Sequence, residues 1–262
     1  MRIYIMTMDE PFFLPRFFQK IVETYKDEII EIGTVSFIPP GKSVIAYALN
    51  EMRMMGPGAF FKQMCLYLYY RILDRISSVL PLKGVYSVRA LGERYSIRVR
   101  RFGDINAPEV VDYLASRDID LIVNQAPQIF KKELLNVPRL GCINKHASLL
   151  PRYRGLYPVF RALLNDERTM GVSIHFMNEK IDAGSVIVQE SFVVKESETV
   201  FDMYKKVFDI GARLMIEAIE QCRLGVQPCL SVSLSHESGG HFFSAPNDEE
   251  IHAFRKKGWK FI

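Results

Sequence analysis

The chain has 262 residues, enough for one large or two small domains with a real core. Hydrophobic residues make up 48% and charged residues 24%, which excludes disorder along the whole chain. A formal charge of +4 is too mild to argue for nucleic acid, and it suits an anionic small substrate.

In chain order, RIYIM (2–6) is a short apolar run that predicts a buried strand. LPRFFQKIVETYKDE (14–28) has helical spacing, IIEIGTVSFI (29–38) predicts the next strand, and PPGK (39–42) breaks the pattern. Residues 43–84 look like a helical insertion. Phe60, Phe61, Met64, Leu68 and Ile72 recur there at helical spacing, as core or as a subunit contact that would allow a homo-oligomer, rather than as a membrane-docking face. YSIRVRRF (95–102) alternates like a half-exposed strand. NAPEVVDYLASRD (106–118) predicts a helix capped by Asn106, and IDLIVNQAP (119–127) a buried strand ending in a loop. LGCINKHA (140–147) is another strand, LYPVFRALLND (156–166) a helix, and VSIHFM (172–177) and SVIVQESFVV (185–194) are strands. The segment 197–225 places Val200, Met203, Tyr204, Val207, Phe208, Gly211, Leu214, Met215, Ala218 and Ile219 on one stripe, a long amphipathic helix ending at Gly225. Strands alternating with helices predict an α/β fold with a mostly parallel, Rossmann-like sheet, in which ligands bind beyond the carboxyl ends of the strands. The expected division is a domain over 1–226 and a polar C-terminal extension over 227–262.

Four cysteines (Cys65, Cys142, Cys222, Cys229) form no CxxC pair and are expected to be reduced and mostly buried. MRIYIMTMDEPFF lacks a basic segment followed by a long apolar run, so no signal peptide is expected and the location is read as cytoplasmic. Lys62, Gln63, Arg71, Asp74 and Arg75 interrupt the stretch 58–80 before it reaches the ~20 apolar residues of a membrane span.

The chemistry concentrates in GCINKHASLLPRYRG (141–155), at the end of a predicted strand. Asn144 and His146 share one strand face, because side chains alternate with period two, and Lys145 points the other way. An amide beside an imidazole suits acyl transfer: the N–H₂ group stabilises an oxyanion and the imidazole moves a proton. The alternative is structural, with Asn144 satisfying loop carbonyls and His146 packed in a core. A turn with Arg152, Arg154 and a glycine follows, which suits anion recognition. Asp182 stands before Ala183 and Gly184 in a second loop. His236, His241 and His252 have no ligand-like spacing, so no metal site is expected.

The pattern Asn-x-His-x-Ser-Leu-Leu-Pro-x-Tyr-Arg-Gly (144–155), followed by Asp-x-Gly (182–184), resembles the 10-formyltetrahydrofolate-dependent formyltransferase family. DLIVNQAPQIFKKELLNVPRLGCIN (120–144) and GVSIHFMNEKIDAG (171–184) support it, and the resemblance runs over about 104–226 and weakly over 1–38. It implies that Asn144 hydrogen-bonds the formyl oxygen, His146 assists proton transfer, and Asp182 orients or relays to His146. It also implies a pterin cleft built from Gln125, Ala126, Gln128, Ile129 and Phe130 and from Lys180, Ile181, Ala183 and Gly184, with Ile129 packing on the pterin. 10-Formyltetrahydrofolate is then the co-substrate, with no metal and no covalent enzyme nucleophile, so Ser148 is a turn or binding residue.

Departures from family members narrow the acceptor. Where glycinamide ribonucleotide transformylases carry a Gly/Ser-rich phosphate loop, this chain has MTMDEPFFLP, and about 37 residues after Gly225 are too few for the C-terminal barrel of methionyl-tRNA formyltransferases. The expected acceptor is a small anionic molecule with a primary amine, foremost a nucleotide-linked amino sugar. Ser148, Arg152, Arg154, Tyr157 and His175 are candidate acceptor contacts. Arg152 or Arg154 would hold a diphosphate, and Tyr157 or the Phe12–Phe13 pair would supply a ledge for the base. Arg154 bracing its own loop and His175 facing solvent from its strand stay open beside these roles. The alternatives are an enzyme acting on a macromolecular amine, as methionyl-tRNA formyltransferase does, and an inactive folate-binding homologue.

Overall fold

The first apolar run forms strand β1 (Ile3–Met8), with five of its six residues buried. Helix α1 (Leu14–Tyr25) follows and turns Phe17, Phe18, Ile21, Val22 and Tyr25 inward at three- and four-residue intervals. Strand β2 (Ile29–Val35) returns parallel to β1. The computed structural model describes residues 1–38, 43–80, 84–225 and 242–262. The chain divides into one unit of Met1–Ala48 with Met64–Asn144 and another of Leu49–Gln63 with Lys145–Ile262. The pattern break expected at 39–42 lies outside the described residues.

Helices α2 (Val44–Met55) and α3 (Pro57–Ser77) confirm helix in the insertion, but α3 does not bury the predicted stripe. Phe61, Met64, Leu68 and Ile72 are exposed, and the core expectation for them is corrected. What α3 buries is Asp74, whose carboxylate accepts from Ser87 Oγ at 2.6 Å.

Ser87 also starts helix α4 (Val88–Tyr95), accepting from the Ala90 N–H, and Ser96 ends it in the left-handed region at φ 57°. The strand expected over 95–102 therefore shortens to β3 (Val99–Arg101), because its first residues finish a helix. Gly92 permits this close return: a Cβ there would lie 2.2 Å from Val99 Cγ2. Helix α5 (Pro108–Ala115) is preceded by Ala107, not by the expected cap Asn106. Asn106 instead donates to the Ile129 carbonyl at 2.9 Å and accepts from the Lys131 N–H at 2.8 Å, which ties down the loop after β4 (Leu121–Gln125). Helix α6 (Lys132–Leu135) then leads to β5 (Gly141–His146).

In the first unit the strands lie in the order β3-β2-β1-β4-β5 and pair in parallel, with Asn124 opposite Asn144. The strand order reverses between β1 and β4, the place where open α/β sheets bind ligands beyond their carboxyl ends. Met8 and Gln125 stand at those ends.

In the second unit β6 (Arg154–Gly155) precedes α7 (Pro158–Leu164). Strands β7 (Thr169–Phe176) and β8 (Val186–Val193) form an antiparallel pair, so the α/β fold is mostly but not wholly parallel. Helix α8 (Val200–Leu224) carries the predicted stripe; a capping box of Thr199 and Asp202 opens it and left-handed Gly225 closes it. Gly211 leaves room for the buried Lys145, whose Cδ would lie 2.5 Å from a Cβ at that position. The Lys145 ammonium sits 3.6 Å from the centroid of the Phe208 ring. Strand β9 (Phe242–Phe243) pairs with β6, and α9 (Asp248–Lys256) stacks Phe254 on Phe160 of α7 at 4.5 Å between centroids. Of the polar extension, residues 242–262 thus pack on α7 and β6, while 226–241 lie outside the described residues.

Candidate active site

His146 ends β5 with a side chain that is 7% exposed. Its Nε2 lies 2.8 Å from the Tyr153 carbonyl oxygen. A carbonyl can only accept, so Nε2 carries the hydrogen, and the neutral ring presents a lone pair at Nδ1. That lone pair faces Asp182 Oδ2 at 3.5 Å. The same Oδ2 accepts the Gly155 N–H at 2.9 Å, so two backbone groups of 153–155 hold the two partners.

His175, on β7, faces the other carboxylate oxygen: its Nε2 is 3.6 Å from Asp182 Oδ1. Its Nδ1 lies 2.8 Å from the Phe176 carbonyl oxygen, which puts the hydrogen on Nδ1 and leaves Nε2 buried without a hydrogen-bond partner. The residue is 1% exposed, so the solvent-facing alternative is corrected. Burial holds this imidazole well below the usual histidine range, against the opposing pull of the Asp182 charge. One carboxylate therefore lies between two nitrogen lone pairs. Such a cluster offers two nitrogen acceptors for one proton, and charging His175 is opposed by its burial.

The backbone around this cluster is strained. Tyr153, Tyr157 and Asp182 are left-handed at φ 56°, 55° and 50°, a conformation bulky residues rarely adopt. Such outliers persist only where surrounding contacts over-determine them, and they gather at functional sites. Here the Glu167 carboxylate accepts from Tyr153 Oη at 2.8 Å and Glu51 from Tyr157 Oη at 2.9 Å. Gly184 closes the Asp182 loop so tightly that a Cβ would fall 1.8 Å from the Phe176 carbonyl oxygen.

Asn144 belongs to the first unit. Its Oδ1 accepts from Gln125 Nε2 at 2.8 Å, which leaves the N–H₂ end directed away from Gln125. Asn124 Oδ1 accepts the Ala126 N–H at 2.9 Å and turns the chain out of β4. Gln128 is engaged within its own unit, donating to the Gly103 carbonyl and accepting from the Ile105 N–H. In the same loop Phe130 is buried and Ile129 is 61% exposed, an apolar surface with nearby backbone groups that fits a flat heterocycle. The 180–184 loop shows Ile181 partly exposed and Ala183 buried, and the Lys180 N–H donates to Asn178 Oδ1.

The remaining candidates are held by local partners. Ser148 is buried and donates to the Arg152 carbonyl at 2.6 Å, which makes it a turn residue. Arg152 pairs with Glu167. Arg154 donates through Nε and Nη2 to the Ile181 carbonyl, at 3.1 and 2.7 Å. Among the described residues, no group of three or more His, Cys, Asp or Glu is arranged to hold a metal ion. His236 and His241 lie outside the described residues.

Sequence reasoning missed Tyr153 and Gly155, although both stand inside the motif. They act through a carbonyl and an N–H, which residue identity does not reveal. It also missed Glu51 and the side-chain bond from Gln125 to Asn144.

Residues 94–219 match the model of the formyl transferase family. Methionyl-tRNA formyltransferases of Staphylococcus aureus are 36% identical over 133 residues, 50% of this chain and 43% of theirs, so the chain matches less than half the length of these curated relatives. A sugar N-formyltransferase from Shewanella shares the fold at TM-score 0.59 and 17% identity, covering 98% of this chain and 87% of its own. WlaRD, a sugar 3N-formyl transferase solved with dTDP and 5-N-formyl-THF, does so at 0.59 and 16%, covering 100% and 82%. Glycinamide ribonucleotide transformylase 1 from Symbiobacterium toebii gives 0.58 and 17%, covering 86% and 88%. The motif, the sheet order and this match agree in making residues 94–219 similar to the formyl transferase family.

Proposed function

We propose that this chain transfers a formyl group from 10-formyltetrahydrofolate to the primary amine of a small acceptor, foremost a nucleotide-linked amino sugar. The observation that carries the proposal is the His146–Asp182 pair, held at 3.5 Å by two backbone groups of its own motif. When bound, the folate supplies the formyl carbon. In this proposal Gln125, Ala126, Gln128, Ile129 and Phe130 and the residues 180–184 serve the folate. The Asn144 N–H₂ group stabilises negative charge on the formyl oxygen, worth about 3 kcal/mol for one such donor. His146 and Asp182 act as one unit that takes up the proton the amine loses on becoming an amide.

Two observations support the choice of acceptor. The N-terminus of α1, where doubly wound folds often hold phosphate, is already filled by the chain's own Glu10, whose carboxylate accepts the N–H groups of Phe12, Phe13 and Leu14. A ribonucleotide phosphate has no vacant helix end at this place. The two sugar N-formyltransferase structures also align with nearly all of this chain. Arg154 braces the 180–184 loop and Arg152 pairs with Glu167, so in this proposal either guanidinium serves an acceptor phosphate only by exchanging its present partner.

The test is a steady-state panel of nucleotide-linked amino sugars, methionyl-tRNA and glycinamide ribonucleotide, each with 10-formyltetrahydrofolate. Transfer to a nucleotide sugar is expected. Transfer to methionyl-tRNA with none to any sugar would overturn the acceptor, and transfer to nothing would overturn the activity.

A further inference from the structure

We infer that Gln125 is a positioning residue that decides which end of the Asn144 amide is presented for catalysis. The inference deepens the proposed function and rests on its assignment of Asn144.

The orientation follows from donor and acceptor logic. One end of the Gln125 side chain lies 2.7 Å from the Asn124 carbonyl oxygen and 2.8 Å from the Asn144 amide. A carbonyl oxygen accepts only, so the end of Gln125 that faces it must be Nε2. With its two hydrogens directed to Asn124 and Asn144, Nε2 demands an acceptor from Asn144, which must present Oδ1. The planar amide then directs the Asn144 N–H₂ group away from Gln125. Reversing it would set two donors against each other at 2.8 Å and lose a hydrogen bond, with a further cost for the donor left unpaired. An oxyanion needs a donor, so this lock selects the productive rotamer. Asn124 is 3% exposed and lies opposite Asn144 in the β4–β5 register, so its carbonyl belongs to a fixed strand end.

The decisive variant is Gln125→Glu, nearly isosteric but an acceptor when ionised. Its carboxylate repels Asn144 Oδ1 and turns the amide round, so that Asn144 donates to it and presents an oxygen to the site. The expected result is a loss of about 100-fold or more in kcat, the scale of a lost oxyanion donor, larger than the change in the KM for 10-formyltetrahydrofolate. Gln125→Ala removes the lock without reversing it and should lose less, about tenfold. A readout that needs no activity is the side-chain amide signal of Asn144 in labelled full-length protein. In Gln125→Glu one Nδ2 proton should become protected from solvent exchange. Gln125→Glu with near-wild-type kcat, in a protein where Asn144→Ala is 100-fold slower, would overturn the inference while leaving the role of Asn144 standing. An unimpaired Asn144→Ala would instead overturn the assignment of Asn144. An unprotected Asn144 amide in Gln125→Glu would overturn the lock itself.

Discussion

At the residue scale, the proposed chemistry depends on polar side chains whose hydrogens are set by their neighbours. Tyr153 and Phe176 contribute carbonyls that set the tautomers of His146 and His175, so both remaining lone pairs point at Asp182. Asp182→Asn keeps the shape and the Gly155 contact but removes the charge that stabilises a protonated His146. It should lower kcat by about 10²-fold or more, the range for a positioned proton acceptor, with folate affinity little changed. Equal losses in kcat and affinity would mean that Asp182 only shapes the loop. His146 and Asn144 are proposed from the sequence because strand alternation and residue chemistry point the same way. The carbonyls and N–H groups that orient them are not, since every residue but proline carries both.

At the element scale, the motif loop is braced from outside itself. Phe243 of β9 accepts the Leu156 N–H at 2.8 Å and stacks on Tyr153 at 5.9 Å between centroids, and Tyr153 is the residue whose carbonyl holds His146. Gly155 is required at this contact: its φ is 94°, and a Cβ would lie 2.3 Å from the Phe243 carbonyl oxygen. Gly155→Ala should therefore lower both Tm and kcat, because the strained backbone and the Asp182 contact share that residue. Phe243→Ala should reduce kcat several-fold and Phe243→Tyr should restore it, in the same formyl-transfer assay. Loss of Tm with unchanged kcat in both would make β9 a purely stabilising element. The elements most legible in the sequence were those with long periodic patterns, α1 and α8. The failures have local causes. Ser87 capped a helix that consumed the start of the predicted strand, and Asn106 was drawn to the 129–131 loop instead of the helix it precedes. The stripe on α3 was found at the right spacing, but spacing cannot say which side of a helix meets the core.

At the scale of the whole molecule, the half-buried Glu10 and the buried His175 make folding stability depend on pH in opposite directions. Glu10 is lifted to about 7 by burial, against the three N–H groups that pull it down. Between its ordinary value near 4.5 and 7 the folded state holds more protons than the unfolded chain, so Glu10 lowers stability as pH rises through that window. His175 acts the other way: an unfolded histidine protonates near 6.5, at about which pH the folded one stays neutral, so stability falls as pH drops below that value. Chemical denaturation from pH 4.5 to 8 should show that Glu10→Gln loses the decline toward neutral pH while keeping the acid decline. A Gln variant with the wild-type profile would remove Glu10 from the account. The fold class was legible because β-α alternation over residues 1–125 leaves few arrangements other than a parallel sheet. The acceptor was less so, since the side chains proposed to contact it, such as Arg152 and Tyr157, already have partners within the chain.

The central claim is that His146 moves a proton in formyl transfer and does not merely fill the core. The direct measurement is kcat for formyl transfer alongside the dissociation constant for 5-formyltetrahydrofolate, in wild type and His146→Ala. The account predicts a kcat lower by about 10²- to 10⁴-fold, with folate affinity within about twofold. A variant that loses both in equal measure, or that keeps its kcat, would contradict it.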